Sequence, residues 1–274
     1  MLGRLFAARS AAYALRPLQS VGAAPQSTIA DELRAALAAE QFELYYQPIV
    51  DLISREWLGA EALIRWPHRD GTIRLPAAFL PQAEQAGLMS EIGNWVIARA
   101  AHDQLALRLE GLNEAFTISV NVSLSQLQEW SALAGGCRAA SRAGASLKLE
   151  IGYFALAPEN MVKCDHLAAL PGLAIAIEEI GLGVEPLVRQ STSAALGFKI
   201  ESKTILARQK GSPAPQVSRE IAGRTVVKAV ETDEQVRQLL RLGFTLGQGY
   251  LFARPRAFED FRAALRAVGC LPLR

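Results

Sequence analysis

Leu173-Ala174-Ile175-Ala176-Ile177, an apolar run closed by Glu178-Glu179, is the stretch whose reading decides the fold. A short run without polar alternation reads as a strand buried on both faces, the habit of parallel sheets covered by helices. The same pattern recurs on either side. Leu147-Lys148-Leu149 is closed by Glu150, Phe116-Thr117-Ile118-Ser119-Val120 by Asn121, and Trp57-Leu58-Gly59-Ala60 by Glu61. Downstream, Leu196-Gly197-Phe198 precedes Lys199, and Thr225-Val226-Val227 precedes Lys228, with Glu231 just beyond Ala229-Val230. Phe244-Thr245-Leu246-Gly247 precedes Gln248. Buried strands with polar C-terminal ends predict an α/β chain folded as a (βα)8 barrel, with its site where those ends meet.

A chain of 274 residues, 50% hydrophobic and 20% charged, is long enough to bury one substantial core, and a barrel of this length forms one domain over residues 28–274. The net charge is +2 and no Lys/Arg stripe is interleaved with aromatics, so nucleic-acid polymers are not expected partners. Cys137, Cys164 and Cys270 are far apart and lack a CxxC spacing, which suits a reducing cytoplasm and gives neither a zinc site nor a disulfide framework. His68, His102 and His166 lack the spacing of paired ligands and read as surface or packing residues. The most apolar stretch, Leu167 to Ile177, is too short for a membrane span and is broken by Pro171-Gly172. Residues 1–27 carry Arg4, Arg9 and Arg16 with no acidic residue, the composition of a transit peptide or a membrane-surface helix. Their apolar residues do not sort onto one helical face, so a mobile basic tail is the expectation.

Along the chain, Ser27 is positioned to cap a helix whose Ile29, Leu33 and Leu37 recur every fourth residue. Phe42 to Leu52 has strand composition around Pro48, and Arg55-Glu56 reads as the turn that returns the chain along Trp57 to Arg65. The first strand pair is thus an antiparallel hairpin. Pro76 marks a helix start, Gly87 a break and Ile92, Trp95, Val96 and Ala100 a second helix. The segment 209–216 is the clearest internal loop, and Arg254-Pro255 is expected to end the last strand before a closing helix.

Carboxylates and an asparagine gathered at strand ends form an all-oxygen set that suits Mg2+ or Mn2+, and two such ions would clamp a phosphodiester. The alternative is that these carboxylates simply pair with Lys199 and Lys228. Seven blocks then carry a specific resemblance: Tyr45-Tyr46-Gln47-Pro48-Ile49-Val50, Glu61-Ala62-Leu63-Ile64-Arg65-Trp66, Asn121-Val122-Ser123, Leu149-Glu150-Ile151, Lys199-Ile200, Val230-Glu231-Thr232 and Gln248-Gly249-Tyr250-Leu251-Phe252. In this order they resemble the EAL-domain family of bacterial cyclic di-GMP phosphodiesterases and their non-catalytic relatives. The resemblance implies a modified TIM-type barrel with an antiparallel first strand. It implies metal ligands at Glu61, Asn121, Glu150, Glu178 and Glu179, and ligand contacts at Gln47, Leu63, Arg65, Pro76 and Gln248. Lys199 matches the family's water-positioning lysine, and Glu231 a polar residue supporting the metal and ligand sites.

Three departures set this chain apart from the family pattern. Glu178-Glu179-Ile180-Gly181-Leu182-Gly183 stands where the family has Asp-Asp-Phe-Gly-Thr-Gly, which lengthens both carboxylates by a methylene and removes the threonine of a loop linked to dimerisation. Tyr153 replaces a glutamate that steadies this loop. Lys228 replaces the first glutamate of Ala-Glu-Gly-Val-Glu-Thr, turning an anion into a cation. An ammonium about 4 Å from a divalent ion would be repelled by roughly 8 kcal/mol at an effective dielectric near 20. The expected function is therefore a catalytically impaired regulator that binds cyclic di-GMP or a protein partner, with Mg or Mn held weakly or at a single site. The competing readings are an active phosphodiesterase producing linear pGpG and a partner-binding module without nucleotide. The resemblance also allows a homodimer.

Overall fold

The computed structural model describes residues 28–68, 70–153, 157–178, 196–206 and 219–272. The basic tail and the 209–216 loop read from the sequence lie outside them. Among the described residues, eight strands close into a barrel: β1 (Glu43–Asp51), β2 (Trp57–Pro67), β4 (Thr117–Val122), β5 (Leu147–Gly152), β6 (Leu173–Glu178), β7 (Leu196–Glu201), β8 (Thr225–Lys228) and β9 (Leu246–Gly247). Two short strands, β3 (Ile73–Arg74) and β10 (Arg256–Ala257), extend β2 and β1. From β2 through β9 the barrel neighbours run parallel, while β1 is antiparallel to both β2 and β9. The expected antiparallel first strand is present.

Pro48 lies within β1, a position that normally breaks a sheet because proline cannot donate to the ladder. Its tolerance has a local cause. On one side β1 pairs with β10 at Tyr45 and Tyr46 and with β9 at Val50 and Asp51, so Pro48 falls where the strand changes neighbours. The register against β2 also shifts between Ile49 and Val50, which absorbs the irregularity.

Three sequence expectations are corrected here. Thr28 caps the first helix, α1 (Ile29–Ala38), through a reciprocal capping box with Asp31, in place of Ser27. Glu61 does not end its strand, because hairpin pairing with β1 and β3 carries β2 on to Pro67. The last barrel strand is only Leu246-Gly247, and Pro255 precedes β10 instead of closing β9.

Outward-facing residues pack against helices. Phe42 of the segment entering β1 meets Trp66, Phe79 and Trp95 at ring separations of 5.7 to 5.9 Å, fixing α3 (Met89–Leu109) and the turn at Pro76–Ala78 against the hairpin. Tyr46 and Trp57 meet Phe261 of the last helix, α10 (Phe258–Ala267), at 5.3 and 5.7 Å. Each such buried ring contributes about 1.5–3 kcal/mol of hydrophobic stabilisation. Strand alternation turns the intervening residues, Gln47 and Glu61 among them, towards the barrel axis.

Candidate functional site

Glu61 is the hub. It is paired in register with Gln47 of β1, and its buried carboxylate meets groups from three other parts of the barrel. Asn121 of β4 donates from Nδ2 to Oε1 at 2.9 Å. Lys199 of β7 and Gln248, just beyond β9, both donate to Oε2, at 2.7 and 2.9 Å. Gln248 also donates to Gln47 Oε1 at 3.2 Å, and Gln47 in turn donates to the Ala253 carbonyl at 3.0 Å. Lys199 is shared, because its Nζ lies 2.7 Å from Glu150 Oε2 as well.

The two carboxylates on Lys199 differ in their remaining partners, and that sets their protonation. Burial pushes Glu61 up, but the Lys199 charge and the hydrogen bonds from Lys199, Asn121 and Gln248 outweigh it and hold the carboxyl down at about 2. Burial pushes Glu150 up to about 7, helped by the neighbouring Glu61 and Glu178 charges and opposed by Lys199. Burial pulls Lys199 down, but the facing carboxylates win and its pKa is raised. Glu61 is thus the ionised member, and Glu150 is the one that takes a proton first.

Lys228 closes β8 and forms an ion pair and hydrogen bond with Glu178 Oε1 at the end of β6. It also lines a cleft of about 270 Å³ with Gln47, Glu61, Glu231, Gln248 and Tyr250. Ala229 follows with φ of 56°, in the left-handed region, and its carbonyl accepts a hydrogen bond from Ser202 Oγ at 2.8 Å. Gly249 is needed beside it, since a Cβ there would stand 2.0 Å from the Val230 carbonyl oxygen.

The ligand residues read from the sequence divide between two places. Gln47 and Gln248 line the polar cleft, and the buried Gln248 Oε1 has no donor among the described residues. Leu63 and Pro76 line an apolar cavity of about 320 Å³ with Leu80, Met89 and Val96, and Asn121 joins its wall. Arg65 is half-buried, donates Nη1 to the Ile64 carbonyl at 2.9 Å and lies over the Tyr45 ring at 5.5 Å. Glu231 is exposed at the cleft edge. Glu179 lies outside the described residues.

Glu61, Asn121 and Glu150 offer the oxygen donors that Mg or Mn requires. Their arrangement does not fit a two-ion centre. Lys199 stands between the two glutamates, Asn121 turns its nitrogen to Glu61, and Glu178 is taken by Lys228. Among the described residues no three His, Cys, Asp or Glu side chains converge as a metal cluster.

Sequence reasoning passed over Lys148, Tyr250 and Ala229. Lys148 is two residues before Glu150 on β5 and so shares its inward face, and burial pulls its ammonium pKa down against the pull of Glu150. A lone cation inside an apolar run was the available signal.

The EAL domain family model matches residues 30–255. The cyclic di-GMP phosphodiesterase NbdA of Pseudomonas aeruginosa is 31% identical over 274 residues, a match covering 93% of this chain and 34% of the relative. The bifunctional diguanylate cyclase/cyclic di-GMP phosphodiesterase MucR of the same organism is 32% identical, covering 90% and 38%. The chain therefore spans little more than a third of the length of these curated relatives. Among solved structures, the PaMucR phosphodiesterase in its c-di-GMP complex superposes with a TM-score of 0.73 at 31% identity, covering 85% of this chain and 99% of that one. The Xanthomonas citri FimX EAL domain in complex with c-diGMP shares the fold, with a TM-score of 0.67 at 20% identity and coverage of 83% and 92%.

Proposed function

The chain belongs to the EAL domain family, and on that premise we propose that it is a degenerate member that binds cyclic di-GMP as a signal and is impaired in its hydrolysis. The observation that carries this reading is the Lys228–Glu178 ion pair. It puts an ammonium where the family pattern has a carboxylate, and it ties up the carboxylate opposite. Two-metal phosphodiester hydrolysis needs both ions to clamp the attacking and leaving oxygens. Losing one such element lowers a rate by about 10² to 10⁴.

Binding is a separate matter. A polar cleft edged by Lys228 beside an apolar cavity lined by Leu63 and Pro76 suits a ligand that joins phosphates to flat bases, and Arg65 offers a guanidinium fork for a phosphate. The signal would pass to a protein partner. The scattered cysteines suit a reducing cytoplasm. Among the described residues no helix is long and apolar enough to cross a membrane.

The test is calorimetric titration of the chain with cyclic di-GMP, run beside chromatography of the product in Mg2+ and Mn2+. We expect binding without turnover. Production of linear pGpG that disappears in Glu61→Ala would overturn the impaired reading. A folded chain that binds no nucleotide would leave a partner-binding module in place of a receptor.

A further inference from the structure

We propose that Lys228, added to the ammonium groups of Lys148 and Lys199, completes a balance of charge that leaves no deficit for a divalent ion to fill, so that the cleft binds its dinucleotide without metal. This rests on the reading of the cleft as a cyclic di-GMP site. Three described carboxylates, Glu61, Glu150 and Glu178, face three ammonium groups. Lys199 bonds both Glu61 and Glu150 at 2.7 Å, and Lys228 bonds Glu178. Lys148, in register between Ser119 and Ala174 on the face that carries Glu150, acts on Glu150 through space.

The formal charges of these six groups cancel, and Glu231, the other described carboxylate of the cleft, is exposed at its edge, where water screens it. An entering cation would also have to displace bonded donors, since Oε1 of Glu61 is held by Asn121 and Oε2 by Lys199 and Gln248. It would then stand beside ammonium groups in a buried site, where like charges repel strongly. The dinucleotide's phosphate meets the opposite situation. Lys228 lines the cleft and its side chain remains 21% exposed, so it can share a hydrogen bond with an incoming anion while keeping Glu178.

Replacing Lys228 by glutamate changes the six-group charge from zero to −2, the deficit one divalent ion fills. Two measurements on the whole chain test the proposal. In the first, Mn2+ is titrated without nucleotide and followed by electron paramagnetic resonance. The wild type should bind no Mn2+ at submillimolar concentration, and Lys228→Glu should bind it at least about tenfold more tightly. In the second, the cyclic di-GMP affinity of the wild type should agree within about threefold between EDTA and millimolar Mg2+. Micromolar Mn2+ binding by the wild type, or loss of nucleotide affinity in EDTA, would overturn the proposal. So would equal Mn2+ affinities in the two proteins. If circular dichroism shows Lys228→Glu unfolded, Lys228→Gln takes its place and should bind Mn2+ more tightly than the wild type. If no nucleotide binds in either buffer, the reading of the cleft as a cyclic di-GMP site falls, and the Mn2+ titrations still decide the charge argument.

Discussion

Replacing Lys199 by methionine should destabilise the barrel several times more than replacing Lys228, although each removes one ammonium from an ion pair. Lys199 is 1% exposed and holds Glu61 and Glu150, themselves 10% and 1% exposed, so its removal leaves two buried carboxylates with no cation between them. Breaking a buried pair from one side costs about 3–5 kcal/mol. Lys228 and Glu178 are 21% and 17% exposed, and water can solvate the freed carboxylate, which brings that loss towards the roughly 1 kcal/mol of a rim pair. With a urea slope of about 3 kcal/mol/M, the midpoint should fall by about 1–1.7 M in Lys199→Met and by only about 0.3 M in Lys228→Met. The Lys199→Met deficit should also grow as pH rises above 7, because Glu150, pushed up to about 7 even beside Lys199 and higher without it, holds a proton at neutral pH that it must give up in alkaline solution. Millimolar Mg2+ should recover part of the loss in that variant and leave the wild type unchanged, since the variant alone gains an uncompensated pair of carboxylates. Equal midpoint shifts in the two variants would refute the reasoning. A Lys199→Met deficit that ignores pH would do the same.

Glu150→Gln should flatten the pH dependence of stability. Glu150 has an ordinary value of 4.5 and about 7 when folded, so across that window the folded chain holds a proton that the unfolded chain lacks, and stability falls as pH rises. Urea unfolding across the window checks this, and a wild type whose stability rises with pH there would count against it. Ala229→Gly should raise stability by about 0.5–1 kcal/mol, or about 2 °C in a thermal melt, because alanine is strained at its φ of 56°. Gly249→Ala should cost about 3 kcal/mol or more, since the new Cβ would meet the Val230 carbonyl oxygen at 2.0 Å and nitrogen at 2.4 Å, both fixed in backbone bonds. The same change should weaken nucleotide binding by shifting Gln248 off Glu61 and Gln47, which calorimetry would read.

Much of the barrel was legible because parallel strands buried on both faces leave a recognisable trace: Leu173–Ile177 carries no surface alternation to confuse the reading. The β1–β2 hairpin was legible from its turn at Arg55-Glu56. Its return along Trp57 to Arg65 was legible too, and only the last two residues, Trp66 and Pro67, which pair with Arg74 and Ile73 of β3, were not. The last barrel strand was legible as the Phe244–Gly247 run before Gln248, but its shortness was not, because its pairing with Val50 and Asp51 is a tertiary fact, not a propensity. At the site, chemistry was legible and pairing was not. Glu61, Asn121 and Glu150 stood out as oxygen donors, but whether they faced an ion or Lys199 depended on how the strands registered around the barrel. The bland alternative, carboxylates paired with Lys199 and Lys228, is the arrangement seen.

That outcome bears on how far a retained constellation can be read as an activity. Glu61 joins β2 to β4 through Asn121, to β7 through Lys199 and to the segment after β9 through Gln248. Lys199 extends the link to β5 at Glu150. These five side chains tie the wall of the barrel together, and deleting any one leaves a buried partner without its bond, at a cost of about 1–5 kcal/mol. Stability alone therefore gives a reason for them to be present, whether or not a phosphodiester is ever cut. Glu178 and Lys228 sit outside that mesh, bonded to each other near the rim, so substitution there perturbs the fold least while altering the electrostatics of the cleft most. The discriminating positions for chemistry are those the barrel does not need, and in this chain those positions hold a salt bridge.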